Sequence, residues 1–278
     1  MTAAPFSPAS ADTSLAIVKL GGSVLAGPPS YFTAASFVAR RLDELRRGRI
    51  VAVVSAEHGQ TDALLQTARE FSSAPDRAAL DLLWSTGELR SVALLVLALQ
   101  ALGINAAPAN VHQTGLLQAD ANAAPGHARV APLRLRALLV AHDVVVVPGF
   151  LARGGLDSIV SLGRGGSDLT AVLLAAALGA RTCELVKDVD GYYSADPNAD
   201  PSAEHLAAIA FERALSMADA GCGLVQRDAL AAARRSAVPL VIRSIAGRRS
   251  TAVGFDATAA RLDDRAPDRS TPHSATRS

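Results

Sequence analysis

The chain has 278 residues, half of them hydrophobic, with 27 Lys+Arg against 26 Asp+Glu and a formal net charge of +1. That length allows one large domain or two small ones around a substantial core. The near-neutral balance, with dispersed basic residues, gives no electrostatic footing for nucleic acid or an anionic membrane, so neither is expected as a partner.

Residues 1–13 are rich in Ala, Ser, Pro and Thr and read as a flexible tail. They have no basic start and no apolar run, so no signal peptide is visible, and a cytoplasmic protein is expected. Two cysteines, Cys183 and Cys222, are too few for a disulfide framework. They fit a reducing compartment as small, buried or half-buried residues.

The first strand is "LAIVKL" (15–20), which runs into "KLGGS" (19–23). Lys19 and Lys187 are the chain's two lysines among many arginines. Gly21 and Gly22 let the backbone approach a ligand closely, and with Ser23 their N–H groups can face an anion. A lysine beside them offers a compact charge on a flexible stem. A helix is predicted over 31–47, then a strand over 50–55 that ends in "SAEHGQTD" (55–62), a glycine turn with Thr61 as a helix cap.

Helices over 61–71 and 76–102 follow. The second contains "STGE" (85–88), which embeds Glu88 in apolar sequence, where a carboxylate calls for a cationic partner. Its apolar stretch "VALLVLALQALG" is shorter than a bilayer span and reads as a buried helix.

A helix over 132–141 leads to the strand "DVVVVPGF" (143–150), which ends at Phe150. In "SLGRGGSDLTAVLLAAALGA" (161–180), three glycines and Arg164 precede Ser167, an N-cap residue, and a helix over 167–178. Such a nest at a helix N-terminus is an anion site, and Arg164 can grip a carboxylate or phosphate bidentately. Asp168 beside an anion nest is counterproductive unless it orients a cation, and Lys19 is available.

The strand "TCELVK" (182–187) opens "KDVDGYYSADP" (187–197), with Lys187, Asp188, an Asp190–Gly191 turn and Tyr193. Helices over 204–219 and 226–237, a last strand "PLVIRS" (239–244) and a tail over 256–278 complete the chain.

Apolar strands without polar alternation, interleaved with helices, predict an α/β fold with a largely parallel central sheet and helices on both faces. Ligands gather at the carboxyl ends of such strands, where Lys19, Ser55, Gly149 and Lys187 fall. No P-loop, dinucleotide fingerprint or nucleophile elbow is present, and the six histidines show no metal spacing.

The order and spacing of these motifs resemble the amino acid kinase superfamily, most closely the aspartokinases, over roughly residues 14–254. The resemblance implies a three-layer sandwich, a catalytic domain over 14–255, ATP and Mg²⁺ as cofactors, and a homodimer. The implied reaction is phosphorylation of the side-chain carboxylate of L-aspartate, or a close analogue, to an acyl phosphate. By matching position, Lys19 stabilises the transferring phosphoryl group and Asp168 organises Lys19. Gly21, Gly22 and Ser23 cradle the phosphates. Thr61, Glu88, Phe150, Arg164 and Ser167 surround the amino acid, the arginine taking the α-carboxylate and Glu88 the ammonium. The segment 187–193 lines the nucleotide, with Lys187, Asp188 and Tyr193 in contact. The chemistry agrees, because an ionised carboxylate needs no general base, only positioning and charge neutralisation.

The chain departs from that pattern on the nucleotide side. Family members usually carry K-V-L-H-P where this chain has "GCGLVQRDAL", which puts Gly223 at the position of a nucleotide-contacting lysine. Asn198 stands for an arginine, and Lys187 for a threonine. Lys187 is therefore expected to supply a replacement cation, the alternative being a surface pair with Asp188 or Asp190. No regulatory domains are expected after residue 255. Two other readings stay open: a kinase of a different small carboxylate or phosphorylated acid on the same fold, and a non-catalytic amino-acid-binding partner subunit with an impaired nucleotide site.

Overall fold

A computed structural model describes residues 15–46, 48–118, 128–163, 165–180 and 182–254; the two expected tails and Arg164 lie outside them. The strands are β1 (Leu15–Leu20), β2 (Arg49–Val54), β3 (Ala106–Pro108), β4 (Leu116–Leu117), β5 (Arg129–Val130), β6 (Val144–Pro148), β7 (Leu151–Arg153), β8 (Ile159–Ser161), β9 (Cys183–Lys187), β10 (Tyr192–Tyr193), β11 (His205–Leu206), β12 (Ala208–Ile209), β13 (Leu240–Ser244) and β14 (Ser250–Val253). The helices are α1 (Pro28–Glu44), α2 (Gln60–Phe71), α3 (Arg77–Ala101), α4 (Val111–Thr114), α5 (Leu133–Ala141), α6 (Gly166–Leu178), α7 (Phe211–Asp219) and α8 (Arg227–Arg235).

One eight-stranded sheet runs in the order β12-β14-β13-β9-β1-β2-β6-β3. Every neighbouring pair in it is parallel except β13 with β14. A smaller sheet, β5-β4-β7-β8, and the ribbon β10-β11 stand apart from it. The expected largely parallel architecture is therefore present.

The central strands are apolar throughout because both faces are covered. Alternate residues of β1 feed two cores. Leu15 and Ile17 pack with α6 and α8, while Ala16, Val18 and Leu20 pack with α1 and α3. On the α1–α3 side, the buried Glu184 of β9 is held by Arg41 of α1 and by Arg243 of β13, the latter at 3.3 Å. This pairing satisfies a charge that would otherwise be costly to bury.

Two expectations change. The segment 204–219 is not one helix: β11 and β12 occupy its first part and α7 begins at Phe211. Pairing of Ala208 and Ile209 with β14 overrides local helix propensity there. The apolar stretch judged too short for a bilayer belongs to the 25-residue α3, which is long and apolar enough to cross one. Half of its apolar window is buried in the fold, and Asp81 and Glu88 are among its buried residues, so it serves as a core helix.

Candidate active site

The carboxyl ends of β1, β2 and β9 converge on the first turn of α6. Period-two alternation puts Lys19 on the same side of β1 as Ile17, facing α6, and Lys187 on the same side of β9 as Leu185. Because β1 and β9 are adjacent, both lysines reach Asp168 in the first turn of α6. Lys19 Nζ lies 2.8 Å from Oδ1, and Lys187 Nζ donates to Oδ2 at 2.8 Å. Asp168 is 2% exposed. Burial alone would raise its carboxyl, but Lys19 and Lys187 overcome that and hold it below the usual aspartate value. Burial, opposed by Asp168 and reinforced by Lys19, lowers the Lys187 ammonium below the ordinary lysine value. Oδ1 meets Lys19 at ion-pair distance without an aligned hydrogen bond.

Two glycine-lined loops flank this clamp. A Cβ on Gly22 would lie 2.5 Å from the Ala56 carbonyl oxygen, so the β1 loop and the β2 loop touch only because that residue lacks a side chain. Gly165 (φ +74) is the N-cap of α6, and a Cβ there would run into Gln226. It takes the capping place expected of Ser167, which instead lies buried in the first turn against Gly149. Thr61 is likewise not a cap; Gly59 holds that position in left-handed geometry and Thr61 falls in the first turn of α2.

Between the loops lies a cavity of about 790 Å³. Lys19, Gly21, Gly22, Ser23, Asp168 and Lys187 line it, together with Thr61, Glu88, Phe150 and Ser167. Lys187 thus faces the cavity and pairs with Asp168, not with Asp188 or Asp190. Phe150 is held at φ 65, a strained conformation for a bulky residue and one that concentrates at functional sites.

Glu88 is 3% exposed, and the expected cationic partner is not in contact with it among the described residues. Its Oε2 has no hydrogen-bond partner. Burial pushes its carboxyl up to about 8, against a backbone hydrogen bond from Ala56 and the charge of Lys19. The cavity therefore contains a buried acid with no ion-pair partner among the described residues.

A second cavity, of about 570 Å³, contains Tyr193 and Asn198 on one wall and Met217 and Cys222 on another. It meets the first at Gly223, which lines both. A Cβ on Gly223 would find nothing within 4 Å. Asp188 is exposed and lines neither cavity. Among the described residues no group of His, Cys, Asp or Glu is placed to hold a metal ion.

Sequence reasoning missed Arg77 and Trp84, which complete the wall beside Glu88. Trp84 Nε1 donates to the Thr61 carbonyl at 3.1 Å, and its ring meets Phe150 edge-on at 5.7 Å. The spacing 77, 81, 84, 88 puts these residues on one face of α3, the signal that was available. Glu57, paired with Arg90 at 2.8 Å, and His58 were also passed over and line the same cavity.

Residues 14–244 match the model of the amino acid kinase family. The chain is 38% identical over 234 residues to an aspartokinase of Mycolicibacterium smegmatis, which covers 83% of this chain and 54% of that protein. The chain spans about half the length of the curated relatives it matches. Among solved structures it is similar to the aspartate kinase of Synechocystis, with a TM-score of 0.77 and 35% identity over 86% of this chain and 39% of that one. It is also similar to E. coli aspartokinase III in complex with aspartate and ADP, with a TM-score of 0.74 and 25% identity over 87% of this chain and 65% of that one.

Proposed function

The chain belongs to the amino acid kinase family, and from that premise we propose that it transfers the γ-phosphoryl group of ATP to the side-chain carboxylate of L-aspartate or a close analogue. The observation that carries this reading is the pair of lysines held on one buried carboxylate between two glycine-lined loops. The relative solved with aspartate and ADP supports the choice of ligands.

In this reading the acid half holds the amino acid. Glu88 takes the ammonium, Thr61, Phe150 and Ser167 shape the site, and Arg164 takes the α-carboxylate. One side-chain carboxylate oxygen forms a bond to the γ-phosphorus as the bond from phosphorus to the bridging oxygen of ADP breaks. No proton needs to move, because the attacking carboxylate is already ionised. Lys19 neutralises the charge that develops on the transferring oxygens, and Asp168 keeps it aimed. Gly21, Gly22 and Ser23 bring backbone N–H groups to the phosphates, while Lys187 reaches them from β9. Tyr193 and the second cavity take the nucleoside. Asp188, exposed and outside both cavities, has no contact in this scheme. Mg²⁺ would be carried by the phosphates, since the described residues offer no metal cage, and it would neutralise phosphate charge. The reading includes a cytoplasmic homodimer, whose mass light scattering measures.

Coupled ADP release and a hydroxamate trap test the reaction together. Both signals should depend on aspartate. ADP release with another small acid alone would move the substrate assignment, and aspartate binding without ADP release would leave a non-catalytic subunit.

A further inference from the structure

The small sheet β5-β4-β7-β8 carries side chains that the proposed reaction leaves unused. A third cavity, of about 200 Å³, opens where this sheet meets α4 and α5. None of the residues lining it lines either of the two larger cavities. Two of them are fixed cations and one can become a cation: Arg134 on α5, Arg153 on β7 and His112 on α4. No acidic residue is among its described lining residues. In a chain with 27 Lys+Arg against 26 Asp+Glu, that is a local excess of positive charge.

Topology brings the three together. β4 runs parallel to β7 with Leu117 opposite Arg153, and Gln118 N donates to the Arg153 carbonyl at 2.9 Å. α4 packs against both β7 and α5. Ala131 N donates to the Gly115 carbonyl at 2.8 Å, and a Cβ on Gly115 (φ +80) would lie 2.3 Å from the Ala131 carbonyl oxygen. The turn after α4 and the entry to α5 therefore close on each other only because residue 115 lacks a side chain.

The two arginines are not spent elsewhere. Arg134 is exposed and makes no hydrogen bond or ion pair among the described residues. Arg153 meets Asp157 at 3.2 Å in an exposed pair, a kind that contributes little. Asp157 lies in an adjoining cavity of about 380 Å³, which shares Leu117 and Arg153 with the third and adds Leu156.

Size and donor geometry select the ligand. Pockets for drug-sized molecules run to about 300–1,000 Å³, so the third cavity suits an ion or an ion-sized head group. Its donors stand on three separate elements. A planar carboxylate is satisfied by one guanidinium fork, whereas a tetrahedral oxyanion presents oxygens to several donors at once. We propose that the third cavity is a phosphate-dianion site, separate from the phosphate site beside Lys19. Arg134 and Arg153 are its principal ligands, and His112 adds a donor. The adjoining cavity gives room for an organic substituent, so free phosphate and a phosphate monoester share this chemistry.

Calorimetric titration at low ionic strength tests the site with inorganic phosphate, glycerol phosphate and acetate as probes. At least one phosphate probe should bind with a Kd of about 1 mM or tighter, and acetate about tenfold more weakly or worse. The tighter phosphate probe identifies the source. Arg134→Ala should weaken phosphate binding by about tenfold. Arg134→Ala/Arg153→Ala should lose one bound equivalent, whereas Lys19→Ala should keep it. Neither arginine is buried, so thermal melts of the two arginine variants should match the unmodified protein. No phosphate binding, an isotherm unchanged in the double variant, or acetate bound as tightly as phosphate would overturn the proposal and leave the arginines as solvated surface.

Discussion

The first cavity carries lysines from two strands, a buried aspartate and a buried glutamate, whereas the second, across Gly223, is bounded by Tyr193, Pro197, Met217 and Cys222, with Asp196 its sole charged lining residue among those described. Charge is concentrated where charge is to be moved. The second cavity offers contact area instead, which under the proposed reading serves a flat, neutral base. Substitutions should therefore cost most in the first cavity, and their costs should fall on different observables.

Asp168→Ala is the most severe way to test that contrast. It leaves two lysine ammonium groups close together, buried and without a counter-ion, and should lower stability by about 3–5 kcal/mol. Urea denaturation measures this, and an unchanged midpoint would mean that the carboxylate does not hold the lysines. Lys19→Ala should reduce kcat by roughly two orders of magnitude, about 3 kcal/mol. Near-normal turnover in steady-state assays would remove Lys19 from the transfer step.

The pH dependence of Glu88 sharpens the contrast further. In the ligand-free protein its carboxyl titrates near about 8, and only the ionised form attracts an ammonium. The aspartate KM should rise roughly tenfold per unit as pH falls below that value, while the ATP KM should not follow it. Stability moves the other way. Between its ordinary value of 4.5 and about 8, the folded protein keeps a proton that the unfolded chain has released, so stability falls as pH rises through that window. Glu88→Gln should flatten both trends, and thermal melts at pH 5 and pH 8 would show a persistent slope if another group were responsible.

Lys187→Ala should have the smallest effect of the four. A charge-assisted phosphate contact is worth about 1.5–3 kcal/mol, so the Kd for a non-hydrolysable ATP analogue should rise about tenfold or more, with aspartate affinity nearly unchanged. An unchanged Kd would confine Lys187 to supporting Asp168.

Much of this was legible in the chain. The β1 bounds follow directly from "LAIVKL", because a continuous branched apolar run flanked by glycine has few other ways to fold. Lys19 and the glycines around it stood out by residue type alone. The pairing of Lys187 with Asp168 was not legible, because it depends on β9 lying beside β1, which no local pattern encodes. Strands of two or three residues, such as β4 and β10, are too short to show a period. Arg77 and Trp84 escaped because α3 is apolar on more than one side, which hides the face shared with Glu88. Arg164 was read from the sequence and lies outside the described residues.

Gly223 differs in kind from the glycines at 22 and 165. Its backbone is not in left-handed geometry, and no neighbouring atom crowds the place where a side chain would begin. Neither sterics nor backbone conformation requires glycine there, so this doorway between the cavities is open to mutational drift. A side chain can begin there without displacing the scaffold, and the position is a natural entry point for redesigning how the two compartments communicate.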